Sequence, residues 1–145
     1  MKYALVTGGS RGIGFGIASQ LADEGWNVVI NGMRDEADVQ EPLKALRAQG
    51  VEVAYAQGNV GSPEGRESIL GKCREFAGGS INLLVNNAGV APKERLDILE
   101  TTEENYSRVI DINLNGVFFL TQAFANEMVA ARKADPEFSG TIVNV

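Results

Sequence analysis

The sequence Thr7-Gly8-Gly9-Ser10-Arg11-Gly12-Ile13-Gly14 constrains this chain more than any other feature. It follows an apolar run, Tyr3–Thr7, and precedes a stretch, Gly12–Glu24, with apolar residues at helical spacing. Backbone N–H groups at a helix N-terminus are unpaired and lie at the positive end of the helix dipole. A phosphate reaches them only where no side chain blocks its approach, so glycine in this context predicts a nucleotide diphosphate site. The alternative is a glycine-rich turn that serves packing alone.

Short apolar runs alternate with helical patterns along the rest of the chain. Helices between successive strands favour parallel pairing with right-handed crossovers. We therefore expect an α/β fold, a Rossmann-like doubly wound parallel sheet with strands ordered 3-2-1-4-5 and helices on both faces, in one domain over residues 1–145. The longest helical stretch should run from Thr102 to about Lys133, with a bend or division at Gly116. The predicted strands are Tyr3–Thr7, Asn27–Asn31, Val51–Gln57, Ile81–Asn86 and Thr141–Val145.

Composition excludes several kinds of site. The 145 residues contain no histidine and one cysteine, Cys73, which rules out a histidine base, an internal disulfide and a thiolate zinc cluster. We expect no metal site. The formal charge of −6 argues against nucleic-acid binding. No apolar run is long enough for a membrane span and no signal peptide is evident, so we expect no membrane association and a cytoplasmic protein.

Three motifs together resemble the classical short-chain dehydrogenase/reductase family. They are the G-x-x-x-G-x-G spacing of Gly8, Gly12 and Gly14, the run Asn86-Asn87-Ala88-Gly89 after the fourth strand, and Asn113. The resemblance covers the N-terminal part of such a protein, and residues 82–124 are most similar to 3-oxoacyl-(acyl-carrier-protein) reductase-like members.

The resemblance implies a coenzyme site built on these motifs. The three glycines would shape the pyrophosphate pocket, and residues 86–89 would stabilise the central sheet and border the adenine ribose. Asn59 replaces the aspartate of the family's Asp-Val pair, so its amide carbonyl should contact adenine more weakly; a turn residue is the alternative. The residues expected to bind coenzyme are Gly8, Ser10, Arg11, Gly12, Ile13, Gly14, Arg34, Asn59, Val60, Asn87, Ala88 and Gly89.

The end of the second strand bears on the choice between NAD and NADP. An aspartate there would accept a hydrogen bond from the ribose 2′-OH and repel a 2′-phosphate. This chain has Gly32 at that place, with Arg34 two residues later and Arg11 in the glycine loop. Guanidinium groups suit phosphate binding, so NADPH is the expected coenzyme, although Asp35 and Glu36 lie nearby.

The family transfers hydride to a carbonyl with help from a serine, a Tyr-x-x-x-Lys motif and an asparagine. Asn113 is the expected catalytic residue present, its backbone carbonyl holding a water; the alternative is that it satisfies a bent helix. None of the three tyrosines, Tyr3, Tyr55 and Tyr106, has a lysine four residues later. We therefore expect the 145 residues alone to be inactive, as a truncated chain or as the ordered part of a longer one.

The resemblance leaves the substrate open. It implies a small carbonyl or alcohol, with an acyl thioester favoured and a sugar or other secondary alcohol as alternative. A non-catalytic nucleotide-binding module and a flavin-binding fold are further alternatives. It also implies a dimer or tetramer through the helix of Val117, Leu120, Phe124 and Met128, with Phe118, Phe119 and Met128 on or near exposed apolar surface unless they serve core packing.

Overall fold

A computed structural model describes all 145 residues, and its sheet has the predicted order. Five parallel strands are hydrogen-bonded in the order β3-β2-β1-β4-β5. The strands are β1 Tyr3–Val6, β2 Asn27–Gly32, β3 Val53–Gln57, β4 Leu83–Asn86 and β5 Thr141–Asn144. The helices are α1 Gly12–Asp23, α2 Gln40–Arg47, α3 Pro63–Ala77, α4 Glu103–Ile110 and α5 Gly116–Ala134, with a 3₁₀ turn at Glu36–Val39 and a π-helical segment at Asp111–Asn115.

Helices cover both faces of the sheet, which explains why the inner strands are continuously apolar. Successive side chains of a strand point to opposite faces. Leu5 of β1 therefore packs with Ile69 of α3 and Phe124 of α5. Its neighbour Val6 belongs to the other core cluster, together with Ala18 of α1. A cluster of buried apolar residues therefore packs on each face and supports the loops at the carboxyl edge of the sheet.

Local signals in the sequence place the helix ends. The Ser62 hydroxyl accepts a hydrogen bond from the Gly65 amide at 3.1 Å, and Pro63 occupies the first helical position of α3. Gly78 ends that helix with φ 65°, in the left-handed region that glycine favours. Thr102 caps α4 in the same way, through the Asn105 amide at 3.2 Å.

The stretch predicted as one long helix is divided into α4 and α5, as the glycine at its middle suggested. The division is the π segment Asp111–Asn115, and Gly116 is the first residue of α5. A Cβ on Gly116 would lie 2.7 Å from the Val60 carbonyl oxygen. This glycine therefore permits α5 to approach the loop after β3, and the π segment absorbs the change in helical phase.

Asn86, at the end of β4, joins the sheet to its neighbours. Its side chain is buried and donates to Asn144 Oδ1 and to Thr121 Oγ1, each at 2.9 Å. One amide group thus links β4 to β5 and to α5, which is the geometry that a role in stabilising the central sheet requires.

The expected exposure of apolar residues on α5 was right for two residues and wrong for a third. Phe118 and Phe119 are 62% and 44% exposed, whereas Met128 is 7% exposed. Residues 120, 124 and 128 recur every four positions on the helix face that packs against the sheet, so Met128 belongs to the core with Leu120 and Phe124. None of the helices combines the length and apolarity needed to cross a membrane.

Candidate functional site

The glycine loop leaves the first amides of α1 without partners. Gly8 and Gly12 have positive φ angles of 63° and 55°, which turn the chain from β1 into the helix. The first hydrogen bond of the helix runs from the Phe15 amide to the Arg11 carbonyl at 3.2 Å. The backbone N–H groups of residues 12–14 have no acceptor within the chain. They lie at a helix N-terminus at the carboxyl edge of the sheet, where unpaired amides suit an anion.

Each glycine of the loop meets a different spatial requirement. A Cβ on Gly14 would overlap the Gly8 carbonyl oxygen and lie 2.5 Å from Asn87 Nδ2. A Cβ on Gly9 would lie 2.8 Å from both Ile30 Cγ2 and the Val6 carbonyl oxygen. No atom lies within 4 Å of a Cβ placed on Gly12, which faces open space. Packing therefore requires glycine at two positions, and the turn requires it at Gly8 and Gly12.

A network around Thr7 locks the loop to the end of β4. The buried Thr7 hydroxyl accepts from the Asn87 and Ala88 amides, both at 2.9 Å, and donates to the Val85 carbonyl at 3.3 Å. The Asn87 side chain donates to the Thr7 carbonyl at 3.0 Å and lies 3.4 Å from the Gly8 carbonyl. Two loops that are about 80 residues apart in the sequence are thereby held as one rigid wall.

These loops surround one cleft of about 430 Å³ at the carboxyl edge of the sheet. Every residue predicted to bind coenzyme lines it: Gly8, Ser10, Arg11, Gly12, Ile13, Gly14, Arg34, Asn59, Val60, Asn87, Ala88 and Gly89. Six further residues line it, and of these only Gly32 was singled out from the sequence: Asn31, Gly32, Met33, Gly58, Val90 and Ile112. Gly32 ends β2, and Met33 and Gly58 directly follow β2 and β3. The rule that ligands bind beyond the carboxyl ends of parallel strands could have found these three.

The loop after β2 brings a positive charge to the cleft. Arg34 Nη2 donates to Ser10 Oγ at 3.2 Å across the cleft mouth, and Arg34 forms no ion pair with a carboxylate. The backbone carbonyl of Arg34 accepts from the Tyr55 hydroxyl at 2.8 Å. Burial raises the pKa of Tyr55, so its hydroxyl remains a proton donor at neutral pH.

The Asn59 side chain is bonded within its own loop, and the single cysteine, Cys73, is buried in the core. Asn59 Oδ1 accepts from the Gly61 amide at 2.9 Å, as in an Asx turn, and the residue still lines the cleft. Burial raises the pKa of the Cys73 thiol, the only cysteine, which lies in the core away from the cleft. No group of three or more acidic or cysteine side chains is arranged to hold a metal ion.

Asn113 is exposed and does not line the cleft. Its side chain donates to the Val90 carbonyl and accepts from the Val90 amide, both at 2.8 Å. Asn105 makes the same kind of paired contact with Lys93 and Glu94, through bonds of 3.1 and 2.8 Å. The α4 and π segments therefore hold the start of the 90–101 loop in a defined position next to the cleft.

Residues 2–145 match the short chain dehydrogenase family. The chain is 42% identical over 147 aligned positions to a 3-oxoacyl-[acyl-carrier-protein] reductase of Staphylococcus epidermidis, covering 99% of the chain and 55% of that protein. It is 36% identical over 127 positions to dehydrogenase/reductase SDR family member 4 of the rabbit, Oryctolagus cuniculus, covering 88% of the chain and 48% of that protein. The chain spans about half the length of the curated relatives it matches.

Solved structures agree in fold over nearly the whole chain. A 3-oxoacyl-[acyl-carrier protein] reductase from Brucella melitensis in complex with NAD superimposes with a TM-score of 0.86 at 38% identity, covering 99% of this chain and 54% of that one. A short chain dehydrogenase from Burkholderia cenocepacia in complex with NADP gives a TM-score of 0.79 at 31% identity, covering 87% and 50%. With the glycine loop, the Asn-Asn-Ala-Gly run and the sheet order all in place, the chain belongs to the short-chain dehydrogenase/reductase family.

Proposed function

We propose that this chain forms the coenzyme-binding part of an oxidoreductase that reduces a ketone, with a 3-oxoacyl thioester as the favoured substrate and NADPH as the favoured coenzyme. The observation that carries the proposal is the cleft over the unpaired amides of residues 12–14. The similarity to 3-oxoacyl-[acyl-carrier-protein] reductases supports the substrate class.

The residues of the cleft fit a dinucleotide. The amides of residues 12–14 would donate to the pyrophosphate, and Arg34 with Ser10 would hold a phosphate on the adenosine ribose. Asn59 and Val60 would border adenine from the end of β3. A nicotinamide coenzyme held by these residues would supply the hydride.

Asn113 has a role apart from coenzyme binding. It lies in the π segment, and interruptions of this kind occur frequently at functional sites. We propose that its backbone carbonyl serves the reaction by holding a water, while its side chain positions Val90.

Coenzyme titration tests the proposal directly. We expect calorimetry on the protein to detect binding of NADPH, and weaker binding of NADH, at neutral pH. A complete absence of heat with both coenzymes would contradict the proposed function.

Arg34→Gln should weaken NADPH binding and leave NADH binding almost unchanged. The substitution removes a charge-assisted contact to a phosphate, which corresponds to a loss of roughly 10- to 100-fold in affinity. Dissociation constants for both coenzymes, measured by fluorescence titration, would show it. Arg132→Gln is the matched control, since Arg132 lies in the last turn of α5 and contacts the Phe138 carbonyl. Equal losses for NADPH and NADH would refute the assignment of Arg34 to the 2′-phosphate.

The polypeptide of residues 1–145 should bind NADPH without oxidising it when a 3-oxoacyl thioester is added. The reason is chemical: Tyr3, Tyr55 and Tyr106 have Thr7, Asn59 and Ile110 at the fourth following position, so these residues contain no Tyr-x-x-x-Lys proton donor. The rate of NADPH oxidation is measured from the absorbance at the NADPH band, with and without the thioester. The lack of a Tyr-x-x-x-Lys motif in these residues also favours a second candidate function, a nucleotide-binding module without catalytic activity. Substrate-dependent oxidation of NADPH would contradict both the expected inactivity and this second candidate.

A further inference from the structure

Two side chains of β3 hold the loop that follows β2. Tyr55 and Gln57 are two positions apart in the strand and so lie on the same face. The Tyr55 hydroxyl donates to the Arg34 carbonyl at 2.8 Å. Gln57 Nε2 donates to Asp35 Oδ1 at 2.9 Å and lies 3.4 Å from the Met33 carbonyl. The conformation of residues 33–35 is therefore set by the neighbouring strand and not by the loop alone.

The Tyr55 hydroxyl also occupies the space that a side chain at position 32 would need. A Cβ on Gly32 would lie 2.8 Å from Tyr55 Oη, closer than real Cβ contacts permit. The next atoms of that ring, Cε2 and Cζ, are 3.7 Å away, which is ordinary van der Waals contact. The hydroxyl oxygen alone thus excludes a residue larger than glycine, and the Tyr55 side chain is 4% exposed and hydrogen-bonded in place.

The same contacts decide which charge faces the cleft. Met33 and Arg34 line the cleft, and Arg34 contacts Ser10. Asp35 does not line it, and its carboxylate accepts a hydrogen bond from Gln57 instead. The sequence Arg34-Asp35-Glu36 carries both signs, yet the folded loop presents a guanidinium to the cleft.

We infer that Tyr55 determines coenzyme specificity as a positioning residue: its hydroxyl excludes an acidic side chain at position 32 and holds the Arg34 backbone so that the guanidinium faces a phosphate on the ribose. A carboxylate at the end of the second strand is the group that would select the unphosphorylated ribose. One hydroxyl group therefore disfavours NADH and favours NADPH at once. This inference rests on the proposed function, since it concerns the same cleft and the same coenzymes.

The test is a double-mutant cycle on the full chain, with dissociation constants for NADPH and NADH measured for each variant. Tyr55→Phe should weaken NADPH binding about fivefold, as for a lost neutral hydrogen bond, and leave NADH binding within about twofold. Gly32→Asp alone should weaken both coenzymes, because the new Cβ displaces the Tyr55 hydroxyl. Gly32→Asp combined with Tyr55→Phe has room for the carboxylate and should tighten NADH binding about tenfold over the Tyr55→Phe variant.

Tyr3→Phe is the matched control, since it removes a tyrosine hydroxyl whose contact is Met1 Sδ at the opposite end of the sheet. It should leave the ratio of the two dissociation constants unchanged. Gln57→Leu provides a second variant: it releases Asp35 and should reduce the preference for NADPH without any change at position 32. Thermal unfolding of each variant verifies that it is folded.

The outcomes separate the two proposals. The role of Tyr55 is overturned, while the proposed function stands, if the parent chain binds coenzyme and Tyr55→Phe leaves the ratio of the NADPH and NADH dissociation constants unchanged. It is also overturned if Gly32→Asp has the same effect on coenzyme binding with tyrosine and with phenylalanine at position 55. Binding of neither coenzyme by the parent chain overturns the proposed function and this inference with it.

Discussion

Replacing Gly14 with alanine should reduce NADPH affinity roughly 100-fold, because misaligning one or two charge-assisted hydrogen bonds to phosphate loses about 1.5–3 kcal/mol each. The new methyl group would overlap the Gly8 carbonyl oxygen and lie 2.5 Å from Asn87 Nδ2. Both atoms belong to the rigid wall around Thr7, so the N-terminus of α1 must move away from the cleft. The same overpacking should lower the free energy of unfolding by about 2 kcal/mol. Calorimetric titration and denaturant unfolding measure the two effects.

Gly16→Ala is the control for this prediction. Gly16 lies two residues further along α1, no atom is within 4 Å of a Cβ placed there, and its φ angle is negative. Alanine should stabilise an exposed helical position by about 0.5–1 kcal/mol relative to glycine and leave coenzyme affinity unchanged. If the two alanine variants behave alike, the close approach of α1 to Gly8 and Asn87 does not govern the site.

Thr7→Val should lower the free energy of unfolding by about 3 kcal/mol, since each unsatisfied amide costs about 1–3 kcal/mol. Valine has nearly the shape of threonine, so packing is preserved while the amides of Asn87 and Ala88 lose their shared acceptor. Coenzyme affinity should fall as well, because Asn87 and Ala88 line the cleft and would no longer be held against the glycine loop. Urea unfolding monitored by circular dichroism, followed by NADPH titration, provides both numbers.

Thr7→Ser is the control that distinguishes the effect of the Thr7 hydroxyl from the effect of its methyl group. Serine keeps the acceptor for both amides and loses a buried methyl, so it should cost only about 1 kcal/mol and retain coenzyme binding. A valine variant as stable as the serine variant would show that this hydroxyl does not hold the two loops together.

The arrangement of elements was readable from the sequence because local signals agree with the global fold. The apolar run Asn27–Asn31 predicted a strand that the structure shows at Asn27–Gly32, and the helical pattern of Gly12–Glu24 predicted the helix found at Gly12–Asp23. The sheet order followed from the alternation of strands and helices. The glycine spacing and the Asn-Asn-Ala-Gly run identified two of the loops that line the cleft, since each motif lies at the end of a strand.

What the sequence by itself determined was therefore the order of the elements, the loops that meet at the carboxyl edge and the family. The tertiary structure alone decided which side chains those loops leave free for a ligand. It put Met128 in the core, placed the Tyr55 hydroxyl beside Gly32 and paired the Asp35 carboxylate with Gln57. The physical reason is that several of these outcomes depend on contacts between strands distant along the chain, and on hydrogen bonds for which more than one partner was chemically acceptable.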